Sequence, residues 1–257
     1  MIPSRWRFLN TGARAGSLNM ALDEHLARRL GEEAPDPRSR DALPILRLFR
    51  WDPWAISLGY NQQLREIDIG ACRRDGVDVV RRPTGGRAIL HAEELTYSVV
   101  MAAGRRSILQ VYNEISRALV RGLLLFGVKA SVQRSQPDFA EAYRQPSSIP
   151  CFSSSARYEI EWGGRKLVGS AQRRFSGGGG DVVLQHGSIL CGPAHQDLAR
   201  YLRLGDGVVR DQIRNALRER TVDLSTILNR CVDTEELAAC IRRGFALEWS
   251  VTFTEAH

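Results

Sequence analysis

The sequence predicts a mixed α/β fold, a single domain over residues 1–257. It has a β-sheet core to about residue 192 and a small, mostly helical portion over 195–257. Three observations predict it. β-Prone runs bounded by turn residues recur at 44–60, 77–80, 95–101, 157–169 and 181–190. Apolar stripes at helical spacing separate them at 17–30 and 107–127. The chain's 257 residues, 43% apolar and 25% charged, are enough to bury one large core.

Taken in order, residues 17–30 place Leu18, Leu22, Leu26 and Leu30 four apart on one helical face, with Ser17 or Asn19 as N-cap. Pro35 and Pro37 make 32–42 a loop. Residues 44–60 read as two short strands divided by the Asp52-Pro53 turn, and Asn61-Gln62-Gln63 leaves the second. A short helix is expected over 67–75. The run 77–80 then enters Arg81-Arg82-Pro83-Thr84-Gly85-Gly86-Arg87, and 88–91 leaves it toward a strand at 95–101. Paired glycines between strands let a backbone turn sharply and approach a ligand. Arg82 with the loop amides would cradle an anion or a carbonyl. The alternative is a plain hairpin turn with surface arginines, and the spacing is neither Walker nor Rossmann.

Residues 107–127 read as a long helix whose Val111, Ile115, Leu119 and Leu123 follow Ile108 along one apolar stripe, ended by Gly127. A strand is expected at 128–132, then a polar, irregular stretch at 136–149. Next comes a hairpin with arms at 157–162 and 165–169, turning at Gly163-Gly164 and followed by a small-residue turn, Gly169-Ser170-Ala171. Gly177 to Gly180 reads as a flexible tip before the strand at 181–190. In the C-terminal portion Thr234-Glu235-Glu236 caps a helix over 237–245, and 247–253 alternates as a strand does.

The net charge of +7 favours an acidic partner through electrostatic steering. The arginines are dispersed and no zinc-finger, basic-helix or RNA-binding signature is present, so nucleic acid is not the expected partner. No run approaches the ~18 apolar residues of a membrane span, and MIPSRWRFLNTG lacks a signal-peptide core. A cytoplasmic location with no membrane partner is the expectation. Five cysteines, an odd number with no C-x-x-C pair, argue against a disulfide framework and a zinc site. Thirty-six basic residues include only two lysines, Lys129 and Lys166. Keeping Lys166 in so arginine-rich a chain points to a need for a compact ammonium.

Several blocks, together and in order, resemble one family. These are Asn19-Met20-Ala21-Leu22-Asp23-Glu24, the stretch 47–62, Arg82-Pro83-Thr84-Gly85-Gly86 with His91, Lys166 with Gly169-Ser170-Ala171-Gln172, and Gln185-His186-Gly187 with Leu190. They resemble the lipoate–protein ligase and octanoyltransferase superfamily, whose catalytic domain is shared with biotin protein ligases. Pro150-Cys151-Phe152 before the hairpin is similar to the cysteine-loop octanoyltransferases. The resemblance implies a sheet core flanked by helices and no metal or cofactor. It implies an octanoyl group carried as a thioester on Cys151, with Lys166 favouring the thiolate or polarising the acyl carbonyl. Arg82, Thr84, Gly85, Gly86, His91, Gly169, Ser170 and Ala171 would bind substrate. The implied donor is octanoyl-acyl carrier protein, and the acceptor a lipoyl domain or glycine-cleavage H protein. Cys191 resembles the later nucleophile of another octanoyltransferase type only loosely, and His186 reads as a packed core residue. An ATP-dependent ligase, an amidotransferase between lipoyl-type proteins and a non-catalytic lipoyl-domain binder stay open as alternatives.

Overall fold

The computed structural model describes residues 2–32, 43–133, 159–177, 180–204 and 207–255. β1 (Arg5–Arg14) leads into α1 (Gly16–Glu32), then β2 (Ile45–Trp51), β3 (Ala55–Leu58), α2 (Ile69–Arg74), β4 (Asp78–Arg81), β5 (Ile89–His91), β6 (Glu94–Ala102) and α3 (Ile108–Leu125). There follow β7 (Ser131–Val132), β8 (Ile160–Trp162), β9 (Arg165–Gly177), β10 (Gly180–Leu190) and a 3-10 segment, Pro193–Tyr201. α4 (Gly207–Arg220), α5 (Leu224–Leu228), α6 (Thr234–Trp249) and β11 (Thr252–Glu255) complete the chain.

Eight strands form one sheet in the order β11-β1-β2-β6-β10-β9-β8-β7, and β4-β3-β5 form a second. β1 runs parallel to both its neighbours, while the pairings from β2 to β7 are antiparallel. One face of the large sheet carries Leu46, Leu48, Tyr97 and Val99 into the main core, against Val111, Ile115 and Leu119 of α3 and Leu237, Ile241 and Phe245 of α6. The two helices touch through glycines. A Cβ on Gly244 would stand 2.3 Å from the Gly122 nitrogen, and one on Gly122 would stand 2.7 Å from the Ile241 Cα. Ser107 caps α3 in a capping box with Gln110, and Asp233 caps α6 by accepting from the amides of Glu235 and Glu236.

The other face of the sheet carries α1. Its stripe differs from the leucine row that the spacing predicts. Leu26 and Leu30 pack on Ile45, Val100 and Leu184, but Leu18 is 59% exposed. Asn19 and Asp23 are turned fully inward instead. The helix starts one residue before the expected cap, and Asn19 inside it donates to the carbonyls of Arg14 and Arg50.

Other expectations are corrected as well. β1 was not anticipated, its alternation being blurred by five arginine or polar positions. Gly169-Ser170-Ala171 is no turn: β9 runs through it to Gly177 because each residue pairs with β10. The run 247–253 is divided, since α6 extends to Trp249 and ends at Ser250 in the left-handed region before β11 joins β1. Among the described residues no helix is long and apolar enough to cross a membrane.

Candidate active site

Register across four strands builds the floor of a pocket. Gly169 of β9 faces Ser188 of β10, which faces Thr96 of β6, which faces Phe49 of β2. Two residues along, Ala171 faces His186, then Ser98, then Arg47. With a period of two, both rows lie on the sheet face that carries α1. A pocket opens over them, lined among the described residues by Met20 of α1, Trp51, Gly169, Ser170, Ala171, His186 and Ser188, with Ser57, Ile89 and His91 of the small sheet opposite. Its free volume is about 20 Å³, room for roughly one water molecule.

Two chains of the same chemistry cross this pocket. In the first, Glu94 Oε1 lies 2.8 Å from His91 Nδ1, and His91 Nε2 lies 2.7 Å from Ser57 Oγ. Thr96 and Ser188 also donate to Glu94. Burial would raise the Glu94 pKa, but His91 and these hydroxyls hold it below the ordinary carboxylate value. An ionised carboxylate only accepts, so Nδ1 of His91 is the donor in that bond. In the second chain, Asp23 Oδ2 lies 3.2 Å from His186 Nδ1, and His186 Nε2 lies 2.6 Å from Thr84 Oγ1. Asp23 also accepts from Ser98 and, at 2.7 Å, from Arg47. Burial opposes its charge, yet the His186 and Arg47 contacts keep its pKa low. Burial pushes His186 below its ordinary value, so its ring is neutral and Nε2 accepts from Thr84.

These chains anchor the glycine loop at two points. Thr84 is held by His186. Arg82, 2% exposed, donates to the Ser57 carbonyl and hydroxyl and to the carbonyls of Gly85 and Arg87. Arg82 lines the pocket, with these donors turned onto Ser57 of β3 and onto its own loop. Gly86 has φ +99, and its carbonyl comes so near Gly59 that a Cβ there would stand 2.0 Å away. Among the described residues, Thr84, Gly85 and Gly86 shape the loop and are not part of the pocket lining.

Lys166 sits on β9, three residues before Gly169, and is 4% exposed. Its ammonium donates to Glu159, itself 2% exposed. Cys151, the expected nucleophile, lies outside the described residues. Of the other thiols, burial pushes Cys191 up to about 12 and Cys72 up to about 11; such thiols stay protonated and inert at neutral pH.

The structure brings His91, Gly169, Ser170, Ala171 and Arg82 to one pocket, with Lys166 further along the same strand. The sequence reading did not assign Met20, Asp23, Arg47, Trp51, Ser57, Glu94 or Glu159. The four-residue step from Asn19 to Asp23, two polar positions on one turn of an otherwise apolar helix, was the available signal. His186 is a buried, hydrogen-bonded residue as expected, and it also lines the pocket.

Comparison with known proteins gives a consistent relationship. The family model for the lipoyl protein ligase A/B catalytic domain matches residues 16–246. The chain is 39% identical over 255 residues to octanoyltransferase LipM of Symbiobacterium thermophilum, covering 98% of this chain and 89% of that protein. It is 40% identical over 248 residues to octanoyltransferase LipM of Kyrpidia tusciae, covering 94% and 86%. Its fold is similar to a bipartite lipoate protein ligase solved with its E2 lipoyl domain from Thermoplasma acidophilum, with a TM-score of 0.77, 22% identity and coverage of 99% and 87%. A lipoate-protein ligase A bound with ATP superposes with a TM-score of 0.71 at 21% identity, covering 98% and 88%.

Proposed function

The chain belongs to the lipoyl protein ligase A/B catalytic-domain family and is an acyltransferase; from that premise we propose that it moves an octanoyl group through a thioester on Cys151 to a lysine of a lipoyl-type protein. The observation that carries the reading is the pocket: a narrow, mostly apolar space running over Gly169, Ala171 and Ser188, with the ammonium of Lys166 further along the strand that supplies its small-residue edge.

Chemically, the Cys151 thiolate attacks the acyl carbonyl of octanoyl-acyl carrier protein. A C–S bond forms, the carrier thiolate leaves and takes up the proton that Cys151 released. The exchange of one thioester for another is close to energy-neutral and needs no ATP. The target amine of a lipoyl domain or H protein then attacks the acyl-enzyme; the amide forms, and the amine proton returns to the Cys151 sulfur. Lys166, positioned by its ion pair with Glu159, favours the thiolate and the oxyanion of each tetrahedral intermediate.

Intact-protein mass after mixing with octanoyl-acyl carrier protein, without ATP, tests this. The expected result is one octanoyl group on the native enzyme, labile to hydroxylamine, and none on Cys151→Ser. Transfer only when ATP is added, with Cys151→Ala fully active, would replace the transferase with a ligase. Loading from an octanoylated H protein but not from the carrier protein would make it an amidotransferase.

A further inference from the structure

We infer that Thr221 and His195 are positioning residues for Lys166: they clamp the main chain at the motif lysine, so that its ammonium stands where acyl transfer needs it. The inference rests on the acyltransfer reading above and brings residues of the C-terminal portion into the working of that site.

The clamp arises where the sheet changes partners. β10 pairs with β9 down to Ile189 opposite Val168. At Lys166 that side of β9 is taken by Thr221, which bridges it in parallel, and the Val222 amide donates to the Lys166 carbonyl at 3.0 Å. β8 flanks the other side, with Glu161 opposite Lys166. A residue just past the end of α4 thus does for Lys166 what a strand does for its neighbours.

Thr221 is itself fastened. It is 1% exposed, and its amide donates to the Leu217 carbonyl at 3.0 Å. Its hydroxyl lies 2.6 Å from that carbonyl and 2.7 Å from His195 Nε2. His195 is buried on the 3-10 segment that follows β10, with Nδ1 3.2 Å from the Gly192 carbonyl. Beyond Thr221 the chain is tied down again. Asp223 caps α5 by accepting from the Thr226 amide, and the Ser225 amide donates to the Cys191 carbonyl at the end of β10. The His195 contact therefore joins the end of α4 to the segment leaving β10, beside the lysine. A lysine stem is long and flexible, and the Glu159 pair fixes only its far end. Fixing the main chain as well leaves the ammonium one place to stand.

The test compares native enzyme with Thr221→Val, which keeps the shape but loses the hydroxyl, with Thr221→Ser, which keeps the hydroxyl, and with His195→Gln. On each folded variant, the single-turnover rate of Cys151 octanoylation by octanoyl-acyl carrier protein and the pH midpoint of Cys151 alkylation by iodoacetamide are measured. A misplacement of about 1 Å remote from the chemistry costs on the order of 100-fold. Thr221→Val is expected to slow octanoylation by about that factor with KM for the carrier protein unchanged, and His195→Gln by a smaller one. In both, the alkylation midpoint should rise toward the ~8.5 of an ordinary thiol. Thr221→Ser should recover most of the rate. In a Glu159→Leu, Lys166→Met background, adding Thr221→Val should leave the alkylation midpoint where it was, since no ammonium remains to be placed. Native rate and midpoint in Thr221→Val and His195→Gln overturn the clamp, as does a Thr221→Val shift that persists without Lys166. If Thr221→Val does not fold, His195→Gln and Thr221→Ser decide it by the same measurements. A native enzyme whose Cys151 takes no octanoyl group would instead sink the acyltransfer reading, and the clamp's role with it.

Discussion

The ammonium of Lys166 is aimed at Oε1 of Glu159, and both side chains are buried, 5% and 2% exposed. Glu159 lies just before β8, and Lys166 lies in the neighbouring strand β9. Taking two charges out of water is costly, and the pair offsets that cost only while both members are present. A motif lysine is thereby held in one place on the strand that edges the pocket.

Removing one partner should cost far more than removing both. Glu159→Gln is expected to lose about 3–5 kcal/mol of stability, a fall in melting temperature of roughly 10 °C for a chain of this size. Glu159→Leu combined with Lys166→Met should recover much of that loss, because an apolar pair replaces the ionic one, yet remain inactive in acyl transfer. Thermal unfolding and the transfer assay on the same preparations check both halves. A double variant as unstable as the single one would mean the pair is not the unit of stability.

Acid should destabilise the protein in two stages. His186 and His195 have folded pKa values below the ordinary 6.5, both through burial. Asp23 lies below 3.8 and Glu94 below 4.5, where hydrogen bonds and opposite charges overcome burial. In each case the native state binds fewer protons than the unfolded chain as pH falls, so stability is present above the unfolded pKa and lost on descending through the folded one. Melting temperature should therefore decline from about pH 6.5 downward, then more steeply below about pH 4.5. His186→Gln should weaken the first decline, with His195 carrying what remains. Stability that rises between those values would contradict the neutral, buried assignment.

Thiol reactivity should separate the cysteines. Cys72 and Cys191 are buried, with pKa pushed up to about 11 and about 12 by that burial. Neither should react with iodoacetamide in the native state at neutral pH, and Cys191→Ser should retain octanoyl transfer within about twofold, since an inert thiol supplies no nucleophile. Peptide mapping after brief alkylation reads this out. Loss of transfer on Cys191→Ser, with its melting temperature unchanged, would move the nucleophile from Cys151 to Cys191.

The sequence made the local elements legible and the long-range polar pairings illegible. α3 could be read because Val111, Ile115, Leu119 and Leu123 are four apart and all buried. The stripe of α1 was misplaced by one position because its inward face is partly polar. Asn19 and Asp23 are buried against partners brought in from elsewhere in the chain, among them Arg47, 24 residues from Asp23. The same holds for Glu94 with Ser188, 94 residues apart. Single-residue periodicity carries no record of such partners. The Gly169-Ser170-Ala171 segment misled for the opposite reason: small residues signal a turn locally, but here they are strand positions kept small beneath a pocket.

The glycine loop offers the sharpest contrast between neighbouring substitutions. A Cβ at Gly59 would stand 2.0 Å from the Gly86 carbonyl oxygen and 2.8 Å from its carbon, both backbone atoms with no side chain to swing aside. Gly59→Ala must therefore push the loop away from β3, and with it Thr84, whose carbonyl accepts from the Tyr60 amide. Displacing a positioned loop by an ångström costs on the order of 100-fold in rate, so that loss is expected in kcat/KM for acyl transfer. Gly85 has nothing within 4 Å of its would-be Cβ and no positive φ. Gly85→Ala should transfer octanoyl groups within about twofold of native, since surface substitutions away from special features change little. Parallel rates and melting temperatures for the two alanine variants decide it. If Gly85→Ala were the damaged one, the loop's need for glycine would lie in a close approach of substrate rather than in its packing on Gly59.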